Sequence, residues 1–510
     1  MAASDLLSTL GGNLALGLAT AVSLQNLFYC FVGVLLGTLI GVLPGIGPVA
    51  TIAMLLPITY ALPPTAALIM LAGIYYGAQY GGSTTAILVN LPGEASSVVT
   101  CLDGYQMARQ GRAGPALAIA AIGSFIAGTV STLICALLAA PLAAVATQFG
   151  PAEYFSLMVL GLIGAVVIAN RSVLKAIGMV LVGLILGLVG IDVNSGAQRF
   201  TFGVTELLDG IGFIGLAVGV FAVTEIVMNL EKKDSREVFT DKVGKLMPSR
   251  DEFRQSVKPI ARGTLVGSVL GVLPAGGALL ASFASYAVEK RLAKDPSRFG
   301  KGAIEGVAGP EAANNAGAQT SFIPMLTLGI PPNVVMALMI GAMMLHNIQP
   351  GPQVMTKNPE LFWGLIASMW LGNLMLVVLN LPLIGIWVRL LSVPYRLLYP
   401  AIILFCCIGV YTLSNNTFDV RLVVLFGAVG YLFAKIGCEP APMLLGFILG
   451  PMMEEYFRRA LVIERGDFRV FIERPISAGL LAAALVVLVS MSLPAIAKWR
   501  QRAVEEQGKA

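Results

Sequence analysis

Long apolar stretches separated by short polar loops fill most of this 510-residue chain. Many of these stretches approach about 20 residues, the length that an α-helix needs to cross a bilayer. The pattern predicts an all-α polytopic membrane protein with about 10–12 transmembrane segments. The one long hydrophilic segment, residues 231–258, is a predicted cytoplasmic linker between two transmembrane halves, residues 1–230 and 259–510.

A short motif interrupts one apolar stretch in each half. Gly41–Pro44 reads Gly-Val-Leu-Pro, and the same four residues recur 230 positions later at Gly271–Pro274. A second match pairs Gly81–Thr85 with Gly317–Ser321. Unwound backbone at membrane depth is tolerated only inside protein or beside a water-filled cavity. Glycine and proline at corresponding places in two halves are therefore the best sequence indication of a transporter binding site, formed by broken helices.

Basic residues indicate which loops face the cytoplasm. Residues 1–108 contain no Lys or Arg, whereas residues 231–258 contain eight and residues 290–301 contain five. The apolar segment 263–289 has a basic flank on each side, which predicts a re-entrant hairpin that turns at its Gly/Pro centre. The corresponding segment 31–60 has no basic flank and is expected to open from the opposite side. The two halves are therefore predicted to be inverted repeats.

Composition agrees with a membrane protein and excludes several enzyme classes. Hydrophobic residues make up 57% and charged residues 12%, with a mean hydropathy of +0.83, whereas soluble domains contain about 25% charged residues. The six cysteines have no metal-binding spacing, and the GxxxxGK[ST] and HExxH motifs are absent, so we expect no transition metal and no cofactor. The net charge of +5 reflects loop topology rather than nucleic-acid binding. The first 25 residues lack the basic n-region of a cleavable signal peptide.

Two polar clusters adjoin the helix breaks and form the candidate substrate site. Amides at the start of a broken helix attract a carboxylate, and hydroxyl and amide side chains add neutral hydrogen-bond partners. Taken singly, small residues of this kind more often serve close helix packing. The candidates are Pro44, Gly45, Gly47, Ser83, Thr84, Thr85 and Asn90 in the first half, and Pro274, Gly276, Gly277, Asn314, Asn315, Gln319, Thr320 and Ser321 in the second.

Acidic residues beside these clusters are candidates for cation coupling, because carboxylates at membrane depth are costly and usually functional. Freed backbone carbonyls at the helix breaks are further candidates for binding Na⁺. The coupling candidates are Glu94, Glu311, Gly93 and Gly329. Glu94 and Asp103 either take part in coupling or lie at the cytoplasmic interface, close to Arg109. His346, the only histidine, lies in a predicted loop and is more often structural than proton-carrying.

With these motifs, the chain resembles the large membrane subunit of the tripartite tricarboxylate transporters, the TctA family. Four stretches carry the resemblance: Gly41–Pro48, Tyr75–Gly114, Gly302–Pro332 and Arg458–Ser477. The resemblance implies a secondary transporter of the bacterial inner membrane that imports a tricarboxylate such as citrate, or a dicarboxylate, by Na⁺ or H⁺ symport. It also implies two partners, a small membrane subunit and a periplasmic solute-binding protein, and is compatible with an elevator-type mechanism.

Two other function classes fit part of the pattern. One is an intramembrane enzyme that acts on a lipid-linked substrate, and the other is a channel-like pore subunit. An enzyme needs a compact set of titratable groups at one depth, whereas this chain offers neutral Ser, Thr and Asn in duplicate. Saturable flux and uphill accumulation distinguish a carrier from a channel.

Overall fold

The computed structural model is predominantly helical and describes residues 3–43, 47–146, 148–168, 172–192, 194–231, 245–273, 277–390 and 395–491. The first helices are α1 (Ala3–Ala21), α2 (Leu24–Val42), α3 (Pro48–Tyr60), α4 (Pro64–Val89), α5 (Val98–Thr100), α6 (Gln106–Arg109), α7 (Ala113–Ala146), α8 (Pro151–Ile168), α9 (Val173–Gly187), α10 (Phe213–Ala217) and α11 (Thr224–Glu231). Two antiparallel strands, β1 (Gly190–Ile191) and β2 (Gln198–Arg199), form a short hairpin after α9.

The second part of the chain contributes α12 (Arg250–Val272), α13 (Gly277–Leu292), α14 (Glu305–Thr320), α15 (Phe322–Leu328), α16 (Val334–Leu345), α17 (Gln353–Lys357), α18 (Pro359–Asn380), α19 (Ile384–Leu390), α20 (Tyr395–Ser414), α21 (Thr417–Lys435), α22 (Ala441–Ile463), α23 (Val470–Glu473) and α24 (Pro475–Met491). The predicted linker is partly helical, because α12 begins at Arg250 with a capping box between Ser249 and Glu252.

Five helices of the described chain are long and apolar enough to cross a membrane. They are α2, most of α7 (Ala113–Ala139), the continuous helix Phe213–Glu231, α18 and α21. Five further apolar helices of 10–17 residues accompany them. The prediction of an all-α, multi-pass membrane protein is confirmed, and the number of crossings stays a prediction.

Both Gly-Val-Leu-Pro motifs end a helix. The first ends α2 at Val42, and Leu43 has an extended backbone before α3 begins at Pro48. The second ends α12 at Val272, again with an extended residue, before α13 begins at Gly277. The predicted broken helices are therefore present. Four candidates within the breaks lie outside the described residues: Pro44, Gly45, Pro274 and Gly276.

The helix before each break packs closely against a later helix, α2 against α4 and α12 against α14. Three glycines four residues apart form each contact. A Cβ atom at Gly37 of α2 would lie 2.4 Å from the Ile74 carbonyl oxygen of α4, and one at Gly267 of α12 would lie 2.3 Å from the Ala313 carbonyl oxygen of α14. Only glycine permits such backbone contact. The stripes are Gly33, Gly37 and Gly41 against Met70, Ile74 and Ala78, and Gly263, Gly267 and Gly271 against Gly309, Ala313 and Gly317. Within each pair the two helices therefore run parallel.

These contacts correct one of the sequence matches. The glycine stripes recur after 230 positions, but their partners on α4 and α14 recur after 239. Ala78, rather than Gly81, therefore occupies the place that Gly317 has in the second half. The difference arises because three residues connect α3 to α4, whereas residues 293–304 connect α13 to α14.

Helices α4 and α14 pack against each other in opposite directions. The Ser83 hydroxyl donates to the Glu311 carboxylate at 2.5 Å. Eight residues earlier on α4, Tyr75 lies beside Asn333, whose side-chain amide donates to Ser321 at the far end of α14. The order of these contacts shows that α4 and α14 run antiparallel.

The segment 263–289 forms the predicted helical hairpin. Arg262 of α12 donates to Glu289 of α13 at 2.7 Å, and the break between the two helices lies midway between these residues in the sequence. The Glu289 side chain is buried, with 2% of its surface exposed. Both ends of the hairpin therefore lie together, and their cytoplasmic position stays a prediction.

Helix α7 is long enough to place its two ends on opposite sides of a membrane. Its 34 residues span about 51 Å at 1.5 Å per residue, more than the hydrocarbon core of about 30 Å. At its start, Arg112 forms an ion pair with Glu252 at 2.7 Å, beside the linker. Just beyond its other end, Glu153 binds Arg474 at 3.2 Å. Arg474 therefore lies at the end of α7 opposite Arg112 and Glu252.

An ion-pair network ties the β-hairpin to α22 at that same end. Asp192 accepts the Asn194 backbone N–H at 3.0 Å and pairs with Arg199 and Arg458. Arg199 also binds Glu454 at 2.9 Å. The Asn194 N–H, followed by the Arg199 guanidinium, holds the pKa of Asp192 well below its usual range.

Candidate functional site

A cavity of about 510 Å³ lies between the two helix breaks, within the size range of small-molecule sites. Much of its described lining comes from the starts of α3, α13 and α16 and from the 3₁₀ turn Ala95–Ser97, and α4 contributes Tyr75 and Gln79. Gly47, Gly277 and Asn333 are the residues at the three α-helix starts. Amides at helix starts lack intrahelical partners and carry partial positive charge. Their convergence makes this cavity suited to an anion.

Two carboxylates also line the cavity. Glu94 accepts hydrogen bonds from Ser96 and from the Asn314 amide, the latter at 3.2 Å. Glu225 accepts the Gly47 backbone N–H at 3.1 Å. The described lining residues include no lysine or arginine. Sequence reasoning missed Glu225, although a single acid within the apolar stretch 213–230 was a usable signal.

Glu311 lies deeper, next to this cavity. Its side chain is 1% exposed and accepts hydrogen bonds from Ser83 at 2.5 Å and from Thr100. Asn314 lies one helical turn further along α14 and reaches Glu94. The two predicted coupling carboxylates thus belong to one polar network that joins α4 to α14. Every side-chain partner described for them is neutral.

Ser83 and Thr84 are absent from the described lining of the large cavity. With Tyr80, Ser124 and Asn380 they line a second cavity of about 10 Å³, room for a single water-sized sphere. Asn315 lies nearby, since its amide donates to the Ser124 hydroxyl at 2.6 Å. These predicted substrate residues therefore do not line the cavity between the helix breaks.

Three other predicted substrate residues hold helix ends in place. Thr85 donates to the carbonyls of Gly41 at 3.2 Å and Val42 at 2.9 Å, where α2 ends. Ser321 donates to Gly271 at 3.3 Å, where α12 ends. Thr320 donates to a carbonyl of its own helix and packs against Gly271. These contacts position the two breaks.

The remaining candidates differ in position. Gly93 lines the large cavity and lies so close to Gly41 that a Cβ atom would be 2.1 Å from its carbonyl oxygen. Asn90 and Gly329 end α4 and α15 in the left-handed conformation, with φ of 56° and 74°. Gln319 is fully buried, and its side-chain amide has no hydrogen-bond partner in the described chain.

Asp103 is a structural residue. One of its carboxylate oxygens accepts the backbone N–H groups of Gly300, Gly302 and Ala303 at 2.8–2.9 Å, and the other accepts the Tyr286 hydroxyl at 2.9 Å. These four bonds fix the connection between α13 and α14. The interfacial alternative thus describes Asp103 better than a coupling role.

His346 also has a structural position. Its ring stacks on Tyr60 at the end of α3, with the ring centroids 6.1 Å apart. Partial burial lowers the pKa of His346 below its ordinary value. Both observations favour the structural alternative over a proton-carrying role.

Comparisons with known proteins identify relatives over most of the chain. A model of the tripartite tricarboxylate transporter TctA family matches residues 27–445. The chain is similar to an uncharacterised 52.8 kDa protein in the TAR-I ttuC' 3' region of Agrobacterium vitis, at 60% identity over 495 residues, covering 97% of this chain and 99% of that protein. A protein in the TAR-II ttuC' 3' region of the same organism is 60% identical over 240 residues, 47% of this chain and 99% of that protein. No solved structure matches the chain.

Proposed function

This chain belongs to the tripartite tricarboxylate transporter TctA family, and on that premise we propose that it is the large membrane subunit that imports a carboxylate by cation symport. The substrate in this proposal is a tricarboxylate such as citrate, or a dicarboxylate. The proposed location is the bacterial inner membrane, consistent with its apolar helices.

The cavity between the helix breaks carries the proposal. Three α-helices of 12–16 residues begin at its wall, so backbone amides at three helix starts, of which that of Gly47 is bonded to Glu225, lie around one space of about 510 Å³. Such amides bind carboxylates without a permanent cation. Gly47 and Gly277 line this space at the helix starts, which lets a ligand approach the backbone closely.

The buried carboxylates provide the proposed coupling to a cation. A substrate anion in the large cavity is repelled by Glu94 at its wall and by Glu311 behind it, and this repulsion is strong in a low-dielectric interior. Binding Na⁺ or H⁺ at this network removes the repulsion. Substrate and cation therefore bind favourably only together, which is the thermodynamic basis of symport.

The arrangement of helices supports a proposed pair of inverted repeats, residues 1–230 and 259–510, joined by the linker 231–258. Both units have a glycine-striped helix, a break, a returning helix and a long helix parallel to the first. The long helices of the two units pack in opposite directions. We further propose that these hairpins carry the substrate in an elevator-type movement, against a static frame to which the small membrane subunit contributes.

Capture of scarce substrate is proposed to depend on a periplasmic solute-binding protein. The test is reconstitution in liposomes with imposed gradients of Na⁺ and of H⁺, each varied alone, across a panel of carboxylates. The small subunit and the binding protein are left out in turn. Uphill, saturable uptake that needs both partners and one cation gradient supports the proposal, and high-affinity uptake by this chain alone contradicts the partner dependence.

A pair of opposite charges at one position tests the anion site itself. Leu279 lies in the first turn of α13 and lines the cavity. Leu279→Glu should raise the half-saturating carboxylate concentration at least tenfold, whereas Leu279→Lys, with a side chain of similar length, should not. Equal effects of the two variants would contradict an anionic substrate in this cavity.

A further inference from the structure

A second, much smaller cavity is lined by residues of α4, α7, α18 and α19 and shares no lining residue with the large cavity. Its volume is about 10 Å³, enough for one water molecule or one dehydrated ion of similar size. Five of its lining side chains carry oxygen: Tyr80, Ser83, Thr84, Ser124 and Asn380. The remainder of its lining is apolar, so any occupant must be held by these oxygens.

Two of these oxygens have no protein partner. The Tyr80 hydroxyl and the Asn380 side-chain carbonyl are buried, and no hydrogen-bond partner for either is present in the parts of the chain that the structure describes. The Asn380 amide nitrogen is bound to the Leu376 carbonyl at 2.9 Å, which leaves its oxygen as the group available to the cavity. Buried polar groups rarely remain without a partner, so these two oxygens indicate a bound species.

The charge nearby indicates that this species is a cation. Ser83 lines the cavity and donates to the buried Glu311 carboxylate at 2.5 Å. Because its proton is directed to Glu311, its lone pairs are available to the cavity. Ser124 accepts a hydrogen bond from Asn315 at 2.6 Å. A water molecule fills the space but leaves an ionised Glu311 without a counter-charge, whereas a cation satisfies both the oxygens and the carboxylate.

The ligand set also selects the class of cation. All its groups are oxygens, which hard cations prefer. The site has four hydroxyls and one amide, and its nearest described carboxylate, Glu311, is connected only through Ser83. This is too little negative charge for a divalent ion, whose sites use several carboxylates. No cluster of three His, Cys, Asp or Glu residues exists in the described chain. A cavity for one water-sized sphere favours an ion that has lost its hydration shell and is no larger than water.

We propose that Tyr80, Ser83, Thr84, Ser124 and Asn380 form a site for a single dehydrated Na⁺, separate from the substrate cavity and from the helix breaks. The proposal rests on the proposed symport function and specifies where its coupling ion binds. Because Ser83 joins this site to Glu311, and Asn314 continues to Glu94, occupancy here changes the charge that a carboxylate meets in the large cavity.

Na⁺ binding is measured directly on the purified full-length chain, without substrate, as the rise in melting temperature in NaCl over KCl and choline chloride. Tyr80→Phe and Asn380→Leu should each raise the half-saturating Na⁺ concentration about tenfold, as expected for loss of one oxygen ligand to a charged group. The matched controls are Tyr76→Phe, one turn earlier on α4, and Asn373→Leu, two turns earlier on α18. Both controls are equally buried but lie outside the cavity lining, and they should leave Na⁺ binding unchanged.

The outcomes separate this site from the proposed function. If the melting temperature of the wild-type chain does not respond to Na⁺, or if the Tyr80 and Tyr76 variants respond alike, the cavity holds water and the ion site is wrong. Carboxylate uptake driven by a proton gradient in that same case leaves the proposed function standing. In uptake assays at saturating Na⁺, Tyr80→Phe should keep its half-saturating carboxylate concentration, and a rise there would contradict separate ion and substrate sites.

Discussion

Replacement of Glu311 by glutamine should abolish cation-dependent uptake with little effect on stability. Two neutral side chains, Ser83 and Thr100, donate to this buried carboxylate. In the glutamine variant one hydroxyl donates to the amide oxygen, and the other turns to accept from the amide nitrogen. Making both bonds neutral costs about 2–3 kcal/mol in total, since a hydrogen bond to a charged group is worth about 1.5–3 kcal/mol and a neutral one about 0.5–1.5 kcal/mol. Removal of a charge from a buried site regains a desolvation penalty of several kcal/mol. The two terms nearly cancel, so we expect the melting temperature to change by only a few degrees.

The effect on transport should be much larger. Loss of one partner of a buried charge pair costs at least about 2 kcal/mol, which corresponds to about a thirtyfold or greater loss of cation affinity. The assay is uptake under an imposed cation gradient, measured beside the melting temperature of the same preparation. Glu305→Gln, at the start of the same helix in an ion pair with Arg298, is the matched control and should keep uptake. A Glu311→Gln protein that unfolds easily but transports normally would refute the reasoning.

Three further predictions follow from the contacts. Asp103→Asn should lower the free energy of unfolding by about 1–3 kcal/mol, because buried donors lose their acceptor; chemical denaturation measures this, and unchanged stability would contradict the anchoring role. Gly267→Ala should weaken packing of α12 on α14 and lower the melting temperature, whereas Gly178→Ala, which meets no atom within 4 Å, should not. Cysteines at Arg262 and Lys290 should both be labelled only from the cytoplasmic side, and labelling from opposite faces would contradict the re-entrant hairpin.

The features visible in the sequence are those set by local chemistry. Glycine and proline end a helix wherever they fall, so the breaks after Val42 and Val272 follow from four residues each. The hairpin of residues 263–289 could likewise be inferred from one segment, because its basic flanks lie directly beside it in the sequence. Acidic residues in apolar surroundings are conspicuous, and Glu94 and Glu311 do share one network.

The features that sequence reasoning missed are assembled from distant positions. The small cavity joins Tyr80, Ser124 and Asn380, and nothing in the chain order indicates that these residues meet. Asp103 finds its donors about 200 positions away, so its structural role was not visible. Matching Gly81 to Gly317 by identity ignored the longer connection before α14, whose length only the backbone contacts reveal.

The unequal connections also have a consequence for biogenesis. In the proposed inverted-repeat topology, two units of the same helical design enter the bilayer with opposite orientations. Lys294, Arg298 and Lys301 lie in the longer connection, residues 293–304, whereas the shorter one has no basic residue. The added loop therefore supplies an orientation signal that the shared helices lack. Asp103, from the first half of the chain, binds this loop, so we expect the contact to form only after both halves have been inserted.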